Sequence, residues 1–263
     1  QVIANKRVSH GLTVNGSYTY SHSIDDGGQE GTSNDFPGSM GNTYAFFPFL
    51  QNGPSDFDVR HNMTTNFVYD FPAPHFQETF ARFLTNGWEM TGIFSARSGL
   101  PFSLGIPNDQ AGTGTFTSTA VHITQRPNFA PTAPGCNAAT PQDAVTGNPN
   151  AYLNMACFPY PLHGQLGNLT RNSIRAPGLE NFDFSLFKNN DLFHEKLRVQ
   201  FRAEFFNILN HTNFQAQYVV PYSYNSATAV GSALSPSATL ANFWFGKTVT
   251  TSREIQFGMK FLF

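Results

Sequence analysis

The fold is decided by two stretches of the chain, LRVQFRAEF at Leu197 to Phe205 and SREIQFGMKFLF at Ser252 to Phe263. In the first stretch every odd-numbered residue is apolar, and polar or charged residues fill the even positions. Wound as a helix, the same residues would place Gln200 and Glu204 within the apolar stripe, so a period of two fits better than a helical period. The pattern therefore predicts a β-strand with one apolar face and one polar face.

The C-terminal stretch repeats this alternation and is predicted to be the closing strand of a barrel. The face expected to contact lipid consists of Ile255, Phe257, Met259, Phe261 and Phe263. The charges expected to face the lumen from these two strands are Arg198, Arg202, Glu204, Glu254 and Lys260. A register slip of one residue would bury Glu254 and Lys260 in lipid, where a cation at the midplane costs about 2 to 4 kcal/mol. The favoured role of these charges is pairing across strands, and substrate conduction is the alternative.

Weaker alternation elsewhere predicts five further strands. The seven strands cover about residues 2–8, 12–24, 57–71, 87–98, 181–188, 197–206 and 252–263. Short or medium connections alternate with long segments rich in Gly, Pro, Ser, Asn and Thr, which are residues 25–56, 99–180 and 207–251. Short periplasmic turns and long extracellular loops are typical of outer-membrane barrels. We therefore predict an all-β fold, an antiparallel transmembrane β-barrel fragment of about seven C-terminal strands, located in the bacterial outer membrane.

A soluble β-sandwich that acts as a binding module also alternates polar and apolar residues, and it is the main alternative fold. Such a sandwich would show turn signals about every 8 to 12 residues and has no reason to collect its long loops at one end. Seven strands cannot close a barrel of even strand number, and the chain shows neither an initiator Met nor a signal peptide. We therefore expect a piece of a longer protein that does not insert stably by itself.

Composition limits the partners. Charged residues make up 12% of the chain, against about 25% in ordinary soluble domains, whereas 28 of the 263 residues are Phe. A net charge of −2 and a pI near 6.5 give no broad basic surface, so nucleic acid is not an expected partner. No apolar run approaches the length of a membrane helix, and the mean hydropathy is −0.28, so a helical membrane protein is excluded. Barrel strands, in which polar and apolar residues alternate, have a mean hydropathy of this size and are not excluded.

The sequence shows no pattern of reactive groups that is typical of an enzyme. Eight His residues are scattered from His10 to His211 without the short spacings of a metal site, and no nucleophile signature or phosphate-binding loop is present. We therefore predict no catalytic residues, no metal and no cofactor. Cys136 and Cys157 lie in the longest predicted extracellular loop. An oxidising compartment favours a disulfide between them, and two free thiols are the alternative.

Several motifs occur in an order that resembles the C-terminal barrel region of TonB-dependent outer-membrane receptors of the Oar-like type. They are Ala4-Asn5-Lys6-Arg7 with His10-Gly11-Leu12, Ser17 to Ser21, Ser23-Ile24-Asp25-Asp26, Asp58 with Arg60-His61-Asn62, Gly87-Trp88, Arg97 to Phe102, Arg202 to Phe214 and the terminal Phe263. The resemblance implies a receptor with a carboxypeptidase-regulatory-like domain, a plug and a barrel of about 22 strands, a size within the range of outer-membrane barrels. It also implies energy supplied by the TonB complex through N-terminal parts that this chain lacks, and recognition of Phe263 by the barrel-assembly machinery.

The extracellular loops carry aromatic residues that are candidate ligand contacts. These residues are Tyr44, Phe46, Phe47, Phe49, Tyr152, Tyr160 and Trp244. A rigid barrel can hold variable aromatic loops at its mouth for binding, but the same residues can also pack loop against loop or form an interfacial girdle. The predicted function is uptake of an unknown ligand across the outer membrane, with outer-membrane lipid as the surrounding partner. A surface-anchoring or adhesive barrel is the alternative within the same fold.

Overall fold

The computed structural model of the protein describes residues 1–7, 11–26, 48–74, 78–106, 109–113, 125–192, 197–214, 222 and 248–263. In chain order the strands and the α-helix are β1 (Val2–Arg7), β2 (Leu12–Tyr20), β3 (Ile24–Asp25), β4 (Gly53–Pro54), β5 (His61–Asp70), α1 (Thr79–Thr85), β6 (Trp88–Arg97), β7 (Pro101–Phe102), β8 (Ile174–Arg175), β9 (Leu179–Leu192), β10 (Leu197–Phe206) and β11 (Glu254–Leu262). Short 3₁₀ helices lie at Pro48–Gln51, Pro141–Ala144 and Met155–Cys157.

Seven of the strands form one antiparallel sheet in the order β1-β2-β5-β6-β9-β10-β11. The four short strands form two separate two-stranded sheets, β3 with β4 and β7 with β8. The long strands therefore follow one another across the sheet in the order of the chain, as in an up-and-down barrel wall. This arrangement confirms the predicted all-β, antiparallel fold.

The register places like residues side by side on each face of the sheet. One row on the outer face runs across six strands through Val14, Phe67, Gly92, Phe184, Phe205 and Ile255. On the inner face, the neighbouring row contains Asn15, whose side chain donates a hydrogen bond of 3.0 Å to Oδ1 of Asn66. Because side chains alternate along a strand, the sheet has an apolar outer face and a mostly polar inner face.

Several strand bounds differ from the predicted ones. The predicted strand 12–24 ends at Tyr20, because the N–H of Ser23 donates to the Asp58 carboxylate instead of to a ladder carbonyl. For the same reason the predicted strand 57–71 begins only at His61. The predicted strand 181–188 is longer and covers Leu179–Leu192, since its C-terminal residues continue to pair with β10.

The rim with the short connections contains the helix α1, in a segment predicted only as a link of medium length between β5 and β6. The indole Nε1 of Trp88 donates a hydrogen bond of 2.8 Å to the carbonyl of Leu84, which ties the helix to the first residue of β6. Between them Gly87 has φ of +76°, and a Cβ there would collide with the carbonyl oxygen of Asn189. Glycine therefore permits the close approach of this turn to β9. None of the helices in the described part of the chain is long and apolar enough to cross a membrane.

The buried apolar residues lie almost entirely outside the large sheet. The cluster consists of Phe102, Leu104, Ile106, Ala138, Ala144, Tyr152, Leu153, Met155, Cys157, Phe158, Tyr160, Leu169, Ile174, Ala176 and Tyr222. All except Tyr222 come from the segment 99–178 between β6 and β9, which we call the loop domain. Predicted as a loop, this segment has a hydrophobic core of its own.

Candidate functional site: the loop domain at the barrel mouth

The loop domain lies on the rim with the long connections. Its ends are joined by the short β7–β8 sheet, where Phe102 pairs with Ile174 and both side chains are fully buried. The remaining apolar side chains pack on this pair, because burying apolar area is the main favourable term in folding in water. The described residues of this segment therefore form a folded unit between β6 and β9.

Cys136 and Cys157 form a disulfide inside this unit, with their Cα atoms 4.8 Å apart. Cys157 is fully buried among the core residues, and Cys136 packs against the same cluster. A closed loop of this size restricts the unfolded chain by roughly 3 kcal/mol in the entropic account. The bond thus stabilises the fold of the loop domain.

Two tyrosine hydroxyls fix the core to its surroundings. Tyr152 donates a hydrogen bond of 2.7 Å to the carbonyl of Arg175, and Tyr222, from the β10–β11 connection, donates one of 2.7 Å to the carbonyl of Phe158. Burial raises the pKa of Tyr152 to about 12 and raises the pKa of Tyr222 as well. Both hydroxyls therefore stay protonated donors at physiological pH.

Asp58 is the centre of a charged cluster beneath the loop domain. Its buried carboxylate accepts hydrogen bonds from the Ser23 N–H at 2.9 Å and from Arg60 Nε at 3.0 Å, and it forms an ion pair with Arg175. His22 Nδ1 lies 3.2 Å from the same carboxylate. Burial alone would raise the pKa of Asp58, but the hydrogen bonds from Ser23, Arg175 and His22 and the Arg175 charge outweigh burial, so this pKa lies below its usual value.

A second cluster surrounds Arg171, whose side chain is fully buried. It forms ion pairs with Asp25 and with Asp56, the latter at 3.2 Å, and also donates to the carbonyl of Gln51 at 3.3 Å. The adjacent Asn172 donates to Asp56 at 2.6 Å. A buried cation needs such partners, because a charge removed from water without them is costly. The two clusters join the loop domain to the segments next to β3 and β4.

The described residues line two grooves. A groove of about 330 Å³ separates the loop domain from the β10–β11 connection, and it is lined by Val145, Gly147, Pro149, Tyr152, Pro177, Gly178, Glu180, His211, Thr212 and Phe214. A groove of about 350 Å³ lies at the outer ends of β9, β10 and β11, lined by Asn181, Asp183, Phe206, Asn207, Thr250, Thr251 and Glu254. The first groove combines apolar walls with a carboxylate and an imidazole, a mixture suited to a polar ligand with an apolar side.

The predicted ligand contacts fall in different environments. Phe49 is 70% exposed near the mouth. Tyr152 and Tyr160 are buried in the core of the loop domain rather than displayed at its surface, because their rings pack on the cluster, and Tyr152 reaches a groove only as part of its wall. The predicted contacts Tyr44, Phe46, Phe47 and Trp244 lie outside the described residues.

The closing strand β11 has one apolar face and one mostly polar face. Ile255, Phe257, Met259 and Phe261 are all more than half exposed on the outer face of β11, and Phe263 follows the strand fully exposed. The predicted lumen charges Arg198, Arg202, Glu204, Glu254 and Lys260 share the inner face of β10 and β11. There Arg198 forms an ion pair of 2.6 Å with Asp191 on β9, and Arg202 donates to Gln200 at 2.7 Å.

Sequence reasoning missed the arginines of the loop domain. Arg126, Arg171 and Arg175 are the only arginine or lysine residues in positions 99–178. Scarce cations in a segment of Gly, Pro, Ser and Asn are the signal that could have indicated buried ion pairs. The carboxylate partners of Arg171 and Arg175, Asp56 and Asp58, are more than 100 positions away, so no local pattern could identify them. Among the described residues no group of His, Cys, Asp and Glu is arranged to hold a metal ion.

An antiparallel wall with one apolar face, one mostly polar face and a folded loop domain at one rim is typical of the class of outer-membrane β-barrel proteins. A comparison with protein families gives the same class: the outer membrane beta barrel domain family matches residues 1–256. The chain belongs to this family, and its long strands are transmembrane strands in the bacterial outer membrane. No curated protein and no solved structure matches the chain.

Proposed function

We propose that this chain forms the C-terminal barrel wall and mouth of an Oar-like TonB-dependent receptor, which takes up a ligand across the outer membrane. The observation that carries the proposal is a folded, disulfide-closed loop domain fixed by buried ion pairs at the mouth of a wall with a polar inner face. Such an arrangement suits capture of a ligand above a lumen. The motif resemblance described above supports the finer assignment.

In this proposal the groove between the loop domain and the β10–β11 connection contributes to ligand binding. Glu180 and His211 supply polar groups there, and Val145, Pro149 and Phe214 supply apolar surface. The protein performs no covalent chemistry on the ligand. Its partners are the TonB complex, which supplies energy through other parts of the protein, and the barrel-assembly machinery, which inserts the barrel.

One observation favours a second function, in which the barrel anchors an adhesive surface module. The loop domain has its own core and disulfide, so it can present a fixed surface to another cell or to a matrix without any transport. The two functions differ in whether the inner membrane must supply energy. They can therefore be separated in intact cells.

The test uses cells that lack the gene, complemented with the full-length protein. Accumulation of labelled oligosaccharides, peptides and ferric siderophores is measured in this strain and in a strain without functional TonB. We expect both the gene deletion and the loss of TonB to abolish accumulation of the same compound. If surface attachment is lost instead, and no compound depends on TonB, the anchoring function replaces uptake.

A matched pair of substitutions tests the groove. Glu180 is exposed in the groove wall, and Glu78 is exposed on the opposite rim next to α1. We expect Glu180→Gln to reduce accumulation of the transported compound severalfold and Glu78→Gln to leave it unchanged. Equal accumulation by both variants would remove the groove from the proposal without affecting the requirement for TonB.

A further inference from the structure

The helix α1 lies on the outer side of the barrel wall. The two residues that hold it, Trp88 and Lys188, are paired across β6 and β9. Both have the strand parity of the outward residues, since Lys188 follows Phe184 and Leu186 at every second position of β9. Because alternate residues of a strand share one face, a helix fixed to Trp88 and Lys188 rests against the lipid-facing surface near its end.

Lys188 holds the C-terminal end of this helix. Its ammonium group donates to the carbonyl of Asn86, which caps α1, and to Oδ1 of Asn190 at 2.8 Å. It also lies 5.7 Å from the ring centroid of Phe83 and 5.5 Å from that of Trp88. A cation at a helix C-terminus, placed against aromatic rings, stabilises the docked helix.

The helix leaves three apolar side chains largely exposed, although the Phe83 ring also lies against the Lys188 ammonium group. Phe80 is 74% exposed, Phe83 44% and Leu84 50%, and their i, i+3, i+4 spacing puts them on one stripe. Ala81 and Thr85 are half-buried on the side of the helix that faces the protein. Arg82 is exposed on the side of the helix opposite the apolar stripe. A helix of seven residues has little stability of its own, so its docking fixes which stripe points outward.

The surroundings of this stripe indicate what covers it. It continues the apolar outer face of a wall that lies in the outer membrane, next to the outward-facing Tyr69 and Phe71, whose ring centroids are 4.9 Å apart. Aromatic girdles of this kind mark the two interfaces of a membrane barrel, and short turns mark the periplasmic one. The stripe is thus continuous with a surface that already contacts lipid, at the level of the periplasmic leaflet.

We propose that α1 is an interfacial membrane anchor, which buries Phe80, Phe83 and Leu84 at the headgroup–acyl boundary of the phospholipid leaflet facing the periplasm. Arg82 then lies on the aqueous side of the helix. Amphipathic helices bind membranes by this division of apolar and cationic residues. The anchor fixes the height of the short-turn rim in the membrane, and it depends on the location of the barrel rather than on the identity of any transported ligand.

The test places a single fluorophore on either side of the helix. The intact protein carries Phe80→Cys, Leu84→Cys or, as the matched control, Arg82→Cys, because the native cysteines are joined in a disulfide and do not react. Each variant is labelled with a polarity-sensitive dye and reconstituted in vesicles of phosphatidylethanolamine and phosphatidylglycerol. Heat-modifiable migration on gels checks that the barrel is folded. Quenching by iodide in water is compared with quenching by lipids that carry a nitroxide near the headgroup.

We expect the labels at positions 80 and 84 to be quenched severalfold more by the nitroxide lipid than the label at position 82, with the opposite order for iodide. Equal quenching of all three labels by iodide would show that the helix lies in water and would overturn the proposal. Protection of positions 80 and 84 from both quenchers would also overturn it, since another protein surface would then cover the stripe.

Discussion

The barrel wall and the loop domain use apolar residues in opposite ways. In the loop domain Phe102, Phe158 and Ile174 are fully buried, whereas Phe257, just off the middle of β11, is 67% exposed. The loop domain is stabilised by removing apolar area from water. The wall satisfies its backbone groups in the ladder and leaves its apolar face to lipid, which is the requirement of a membrane-spanning structure. The chain thus contains one part that is stable in water and one part that is stable in lipid.

The charged residues differ between the same two regions. Arg171 in the loop domain is buried between Asp25 and Asp56. Arg198 in the wall pairs with Asp191, and both side chains are about half exposed on the inner face. Breaking a buried pair leaves charges without water or partner, whereas an exposed pair is easily replaced by solvent. The same substitution should therefore have very different effects in the two regions.

The largest expected effect is that of Arg171→Ala. The change leaves Asp25 and Asp56 without their shared cation and should destabilise the loop domain by about 3 to 5 kcal/mol. Arg198→Ala is the matched control and should cost less than about 1 kcal/mol. Hydrogen exchange in the membrane-inserted protein measures the first change through the amides of Leu169 and Ala176, which donate to the carbonyls of Pro127 and Leu100, and the second through the amides of β9 and β10.

The wall provides the internal reference for this measurement. Amides of β9 and β10 should exchange at the wild-type rate in the Arg171 variant, because the loop domain is a separate cooperative unit. If the loop domain and the wall lose protection together, the two regions form one unit, and the contrast drawn between them is wrong.

The sequence predicts the wall well because its signal is local. Period-two alternation in Leu197 to Phe205 and in Ser252 to Phe263 gives the faces that the register shows. The main misses in the wall concern its ends: β9 continues past Lys188, and α1 is too short to leave a periodic pattern. Lys188 escapes prediction because its aromatic neighbours Phe83 and Trp88 come from a different part of the chain.

The fold of the loop domain cannot be predicted in this way, because its contacts join residues that are far apart in the sequence. Phe102 meets Ile174 across more than 70 positions, and Asp58 meets Arg175 across 117. Gly, Pro, Ser and Asn between them suggest only a loop. Of its internal contacts, the pairing of Cys136 with Cys157 is the one that the sequence predicted, because cysteine is scarce and the compartment is oxidising.

A smaller effect tests the lipid face of the wall. Met259 lies on the outer face of β11, just off its middle, and Gln256 lies on the inner face. Met259→Lys should destabilise the inserted barrel by about 2 kcal/mol, because the cost of a lipid-facing lysine falls from the midplane toward the interface. Gln256→Lys, the matched control, should change stability little. Urea unfolding of the intact protein in vesicles measures the stability of both variants. If both lose the same free energy of unfolding, the two faces of the strand do not lie in different surroundings, lipid and water.

The smallest expected effect is an acid sensitivity confined to the mouth. The pKa of Asp58 is lower in the folded protein than in the unfolded chain, where a free carboxyl has a pKa near 3.9. The folded state thus binds the proton less tightly than the unfolded state. The stabilisation is fully present above the unfolded pKa and is lost as the pH falls below about 4 toward the folded pKa.

Hydrogen exchange of the Ala176 amide, measured from pH 6 downward and corrected for intrinsic exchange, should show the loop domain losing protection below about pH 4. Amides of β9 should show a weaker dependence, because the side-chain partners of Asp58 among the described residues are His22, Ser23, Arg60 and Arg175, and none of these belongs to β9. Asp58→Asn keeps an acceptor for the Ser23 N–H but removes the titrating charge. This variant should be less stable than the wild type at neutral pH and should not share the additional loss below pH 4. If the variant loses as much protection below pH 4 as the wild type, the acid sensitivity belongs to other carboxylates. The Asp58 cluster would then link the loop domain to the wall without making that link dependent on pH.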